Sequence, residues 1–210
     1  MTRQSPRQRL YLVTPALEDP AAFVDVLEAA LGAADIAALL VRLAETDERA
    51  LINRAKTVTT LAQRRDVAVL LDGRPQFVGR IGADGAHIAG IEAFVAALAT
   101  LKPDRIAGAG GLRSRHDAML AGEAGADYVM FGEPDRRGAR PPQETVLDYL
   151  SWWAELFEIP CVGYAAALDD VEPLAATGAD FVALGEWIWT EPQGAAATIA
   201  AAAGKLAEPR

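Results

Sequence analysis

Cysteine is nearly missing from this chain: Cys161 is the one cysteine in 210 residues. A single thiol excludes an intramolecular disulfide and a cysteine-based metal cluster. Long apolar runs are missing too. No stretch approaches the roughly 18 apolar residues of a membrane-spanning helix, so no membrane partner is expected. Met1–Arg9 is polar and basic with no apolar stretch behind it, unlike a secretory signal. Positive charge is in the minority, with 20 Lys and Arg against 29 Asp and Glu and a net charge of −9. Such a surface repels the phosphates of nucleic acid and acidic lipid, so neither is expected as a partner. No linker or low-complexity segment divides the chain. These absences imply a cytoplasmic protein with one domain over residues 1–210; the expected partners are small phosphorylated substrates and a second copy of the chain in a homo-oligomer.

Apolar material is plentiful at 51% of residues, enough for a sizeable core. It comes in short apolar runs separated by longer alanine-rich segments. The strand candidates are Leu10–Thr14, Ile36–Leu43, Val67–Leu71, Gly85–Ile88, Arg105–Ala109, Tyr128–Phe131, Pro160–Gly163 and Phe181–Leu184. Helix candidates follow each, at Pro20–Leu31, Glu48–Arg65, Pro75–Ile81, Ile91–Leu101, Ser114–Glu123, Gln143–Phe157, Asp169–Ala176 and Pro192–Leu206. The strands are continuously apolar, as in a parallel sheet covered by helices. Eight strand–helix pairs favour closure into a single (β/α)8 TIM barrel, an α/β fold. Gly-Ala-Asp recurs at residues 82–84, 125–127 and 178–180, each time between a helix and a strand. The glycine is suited to ending a helix, and a structural turn is expected there rather than a ligand site. The last few residues are expected to fray.

In such a barrel the chemistry belongs at the C-terminal ends of the strands. Arg42 ends strand two and can bind an anion bidentately or stand as a surface arginine. Asp72 ends strand three and suits Mg²⁺, or caps the next helix. Glu92 can complete that metal site, or serve as a first-turn acid favoured by the helix dipole. His87 alternates with apolar neighbours and reads as a hydrogen-bonded core histidine. After strand five, the glycines through Gly111 precede a helix start, where backbone N–H groups can approach a phosphate. His116 beyond them is an acid–base candidate or a solvated first-turn residue. The segment from Gly132 to Pro142 carries Arg136, Arg137 and Arg140, a basic patch able to close over a pyrophosphate, with Glu133 and Asp135 tempering its charge. After strands seven and eight, Ala165, Ala166 and Gly185 are small enough for a backbone phosphate site, whereas Glu186 repels a phosphate unless it points away. Trp187 and Trp189 can cap a ring or simply pack.

Several segments in order resemble the thiamine-phosphate synthase family. They are Leu10-Tyr11-Leu12-Val13-Thr14, Ala83-Asp84-Gly85-Ala86-His87-Ile88, Gly125-Ala126-Asp127-Tyr128-Val129 with Gly132, Ile159-Pro160-Cys161-Val162-Gly163, and Gly178-Ala179-Asp180. The resemblance implies a TIM barrel. It also implies a transferase of thiamine biosynthesis: Mg²⁺-assisted displacement of pyrophosphate from hydroxymethylpyrimidine pyrophosphate by the nitrogen of a thiazole phosphate. The family's strand-two glutamine, arginine and lysine fall here on Leu40, Arg42 and Ala44. Its metal acids fall on Asp72 and Glu92, and its lysine after strand six on Arg140. Its serine after strand five falls on Ser114 or on Gly111, its strand-seven glycine pair on Ala165 and Ala166, and a small residue on Glu186. An alternative is a barrel without this activity that binds a thiazole or pyrimidine ligand, or a thiazole tautomerase-like protein with His116 as proton shuttle. A third is a partner subunit presenting Trp152, Trp153, Trp187 and Trp189.

Overall fold

The computed structural model describes residues 8–44 and 47–206. Expectations for the first seven and the last four residues lie outside the described residues. Eight strands alternate with eight α-helices: β1 (Arg9–Val13), α1 (Pro20–Leu31), β2 (Ile36–Val41), α2 (Glu48–Gln63), β3 (Ala68–Asp72), α3 (Val78–Ile81), β4 (Gly85–Ala89) and α4 (Ile91–Leu101). Then follow β5 (Ile106–Gly110), α5 (Arg115–Ala124), β6 (Tyr128–Phe131), α6 (Gln143–Leu156), β7 (Cys161–Ala165), α7 (Val171–Ala176), β8 (Phe181–Leu184) and α8 (Ala195–Leu206). Every strand pairs in parallel with its neighbours, and β8 pairs with β1 to close the barrel. Short 3₁₀ turns precede α3 and α7 where uninterrupted helices were expected. The last helix starts at Ala195 rather than Pro192, because Gly194 takes a left-handed conformation (φ 84°) and then accepts the Thr198 N–H.

The pleat explains why the strands are apolar on both faces. On β1, Leu10 and Leu12 pack outward against helices, while Tyr11 and Val13 point into the barrel. The inner cluster comprises Tyr11, Val13, Leu40, Leu70, Tyr128, Met130, Val162 and Tyr164, among others. Three tyrosines among them bring hydroxyl groups into an otherwise apolar interior.

The Gly-Ala-Asp repeats do structural work at the opposite end from the strand tips. Asp84 accepts the Val69 N–H at 2.7 Å, Asp127 the Ala107 N–H at 2.7 Å and Asp180 the Cys161 N–H at 2.8 Å. In each case the aspartate satisfies an N–H at the beginning of the preceding parallel strand, a donor at the sheet's end that would otherwise be left over. Asp180→Ala should therefore lower the unfolding free energy by about 1–3 kcal/mol, since the buried Cys161 loses its acceptor. Urea denaturation measures this, and the Michaelis parameters of the folded fraction should not change.

Candidate active site

Arg42 follows β2 and leans across the barrel mouth. Its backbone N–H donates to Thr14 Oγ1 at 2.9 Å, which holds the strand end close to β1. Its Nε donates to Asp72 Oδ2 at 3.1 Å, and its Nη1 pairs with Glu186 Oε1. Glu186 opens the 3₁₀ turn after β8, so it points onto the mouth rather than away. Burial works against the charged guanidinium, but the two acids outweigh it and raise the Arg42 pKa.

A chain of polar side chains runs down from this rim into the barrel. Glu133 accepts from the Gly111 N–H and pairs through Oε2 with His87 Nε2 at 2.9 Å. His87 Nδ1 lies 2.8 Å from the Tyr128 hydroxyl, which lies 3.0 Å from that of Tyr11. Two glycines on β5 make the room. A Cβ at Gly108 would overlap the Tyr128 ring, and one at Gly110 would overlap both Glu133 and His87. His87 is therefore the core histidine its strand context implies, at 1% exposure. Glu133, expected only to temper the charge of the arginine loop, is turned inward, its side chain 9% exposed.

Burial opposes the charge on both members of this pair, and mutual attraction wins. Glu133 holds the His87 pKa above its ordinary 6.5. His87, helped by the Gly111 N–H, holds Glu133 below its ordinary 4.5. The glutamate contribution to stability is full above the unfolded-state value and lost as pH falls through the lowered folded value. The histidine contribution is full below the unfolded-state value and lost as pH rises through the raised folded value. The pair should thus stabilise the fold most between about pH 4.5 and 6.5. Denaturation midpoints across that range and on either side should show the maximum in the wild type and a flatter profile in Glu133→Gln. Identical profiles would remove the ion pair from the account.

The segment between β6 and α6 is shaped by two of its own residues. Asp135 Oδ1 accepts the N–H groups of Arg137 at 2.8 Å and Ala139 at 3.0 Å, closing the tip. Arg140 returns the chain to the barrel, with Nε donating to Gly132 O at 2.9 Å and Nη2 to Tyr164 O at 3.2 Å. Its guanidinium lies 5.5 Å from the Tyr164 ring centroid and 3.9 Å from Asp170. Arg42 follows the end of β2 and Arg140 is tied to carbonyls after β6 and in β7, so both guanidiniums stand at the C-terminal rim of the barrel. Arg136 and Arg137 are exposed at the tip, with no ion pair among the described residues.

Of the other expected residues, Asp72 is part of this rim and His116 stands apart from it. His116 is exposed in the first turn of α5, behind the Ser114 N-cap that accepts the Asp117 N–H. Glu92 is exposed in the first turn of α4, and Asp72 lies at the end of β3 on the salt bridge with Arg42. Among the described residues no three acidic, histidine or cysteine side chains form a metal cage. The backbone cradle for phosphate differs from expectation for a common reason: its donors already have acceptors. Gly111 donates to Glu133, Ala166 to Asp170 at 2.8 Å, and Gly185 to the Ala165 carbonyl at 3.1 Å, while Ala165 itself is buried within β7. The tryptophans are largely packed. Trp153 is fully buried, Trp152 packs edge-on against it, and the indoles of Trp187 and Trp189 donate to Ala165 O and Val13 O. Trp152, Trp187 and Trp189 keep part of their surface exposed.

Comparison with known proteins identifies the family. The family model described as thiamine monophosphate synthase matches residues 10–188. The thiamine-phosphate synthase of Rhodospirillum centenum is 40% identical over 195 residues, covering 91% of this chain and 94% of that protein. That of Hyphomonas neptunium is 38% identical over 207 residues, covering 93% and 92%. Among solved structures, thiamine phosphate pyrophosphorylase from Pyrococcus furiosus superposes with a TM-score of 0.79 at 20% identity, covering 95% of this chain and 96% of that one, a likeness of fold. The chain belongs to the thiamine monophosphate synthase family.

Proposed function

We propose that this chain makes thiamine phosphate, by displacing pyrophosphate from hydroxymethylpyrimidine pyrophosphate with the ring nitrogen of a thiazole phosphate. One observation carries the reading: Arg42 at the end of β2 and Arg140 on the carbonyls of Gly132 and Tyr164 share the C-terminal rim of the barrel mouth. A pyrophosphate held between two guanidiniums leaves with its charge already met, which lowers the barrier through preorganised electrostatics. Arg136 and Arg137 at the loop tip add a diffuse positive field that draws phosphorylated substrates to an otherwise acidic protein.

The donor chemistry of Asp72 and Glu92 suits Mg²⁺, which takes one or two protein carboxylates and completes its shell with substrate phosphates and water. Asp72 has one oxygen committed to Arg42 and the other uncommitted among the described contacts. These two residues would hold the ion, and when bound it neutralises charge on the pyrophosphate. Orientation and exclusion of water fall to the protein, through the Arg140-tied segment over Tyr164.

Glu186 sits on Arg42 where the leaving group needs that guanidinium, so it competes with substrate. Glu186→Gln should tighten Mg²⁺-pyrophosphate binding about fivefold, roughly 1 kcal/mol. Calorimetry decides it, and an unchanged or weaker affinity would show that Glu186 does not compete. The activity itself is tested by incubating purified protein with both substrates and Mg²⁺. Thiamine phosphate is expected, and its absence would overturn the proposed reaction.

A further inference from the structure

Resting on that reaction, we infer that Glu133 is a substrate-binding residue whose carboxylate accepts a hydrogen bond from the 4-amino group of the pyrimidine. The site is built rather than incidental. Gly108 and Gly110 vacate the inward side of β5, and the carboxylate is held by the Gly111 N–H and by His87, itself bonded to Tyr128. A carboxylate has about four acceptor positions, of which His87 and Gly111 take two. The rest of the group keeps 9% exposure at the mouth, within the electrostatic reach of Arg42.

Burying an ionised acid is costly, and ordering the loop does not require it. Asp135, two residues on, orders the loop tip from an exposed position. Charge placement gives the buried acid a purpose. In the reaction, the bond from the pyrimidine methylene carbon to the pyrophosphate oxygen breaks, and its electron pair leaves with pyrophosphate. The lone pair of the thiazole nitrogen forms the new C–N bond, and the thiazole becomes a thiazolium. While the C–O bond stretches, positive charge spreads from the methylene carbon into the ring and onto the exocyclic amine. Its N–H groups become stronger donors, so a carboxylate acceptor binds the transition state more tightly than the ground state. The guanidiniums at the rim face the departing anion, and Glu133 faces the ring that turns positive.

The test uses calorimetry with two probes, hydroxymethylpyrimidine and its 4-desamino analogue, on the wild type, Glu133→Gln and Glu133→Asp. Mg²⁺-pyrophosphate serves as a check that the folded rim is intact. The expected result is a loss of about tenfold or more for the amino compound in Glu133→Gln, with less than a twofold change for the analogue and for pyrophosphate. Glu133→Asp should restore part of the difference, and kcat should fall in Glu133→Gln with little change in the pyrophosphate affinity. Equal losses for both pyrimidines would assign Glu133 a structural role and overturn the inference. So would a wild type that binds the two alike or binds neither. A wild type that prefers the amino compound through Glu133 yet makes no thiamine phosphate would overturn the proposed reaction and leave the recognition standing.

Discussion

Arg42→Ala is expected to lower kcat/KM by about 10²–10³-fold, or roughly 3–4 kcal/mol of transition-state stabilisation. Two effects add. The variant lacks a guanidinium for the leaving pyrophosphate, and it leaves Asp72 and Glu186 facing that anion without their shared cation. Arg42→Lys should recover part of the loss, because it keeps the charge but not the fork that meets two acids at once. Steady-state kinetics with the pyrimidine pyrophosphate varied separates these outcomes. A loss under about threefold in Arg42→Ala would take Arg42 out of the proposed mechanism.

Arg140→Ala should cost about 100-fold in kcat/KM, near 2.7 kcal/mol, by a different route. Arg140 ties the segment after β6 to the carbonyls of Gly132 and Tyr164 and places its charge above the Tyr164 ring. Its removal takes away the proposed anion contact and the ties that hold this segment to Gly132 and Tyr164. Arg136→Ala and Arg137→Ala should each cost only about two- to fivefold, with a salt dependence, because exposed charges act through a screened field. If the tip arginines matter as much as Arg140, the anion sits farther out than proposed.

The scaffold was legible because its signals are local. Continuous apolar runs such as Val69–Leu71, spaced by helical segments, already imply a covered parallel sheet, and three Gly-Ala-Asp turns punctuate it at fixed places. Arg42 at the end of β2 is a position that one-dimensional order reveals, whereas Arg140, in the long segment after β6, is singled out by the basic patch and the family resemblance. The part that escaped notice is three-dimensional. Glu133 stands in a run of charged and turn-forming residues, where it reads as a charge tempering its arginine neighbours; only the space left by Gly110 and the facing His87 draw it inward. A signal existed in the Gly108-Ala109-Gly110 alternation, which on a strand clears one face twice. In one dimension those glycines equally suit a phosphate site, because a glycine near a helix start fits that role. The pairing of Arg42 with Glu186 joins residues 144 apart and exists only because the barrel closes β8 onto β1.

The most direct test of the rim is a crystal structure of the protein soaked with Mg²⁺ and pyrophosphate. The expected result places the anion between Arg42 and Arg140, with Glu186 turned off the guanidinium. Pyrophosphate bound on the Gly111 or Ala166 N–H groups, with the Arg42–Glu186 pair intact, would contradict it.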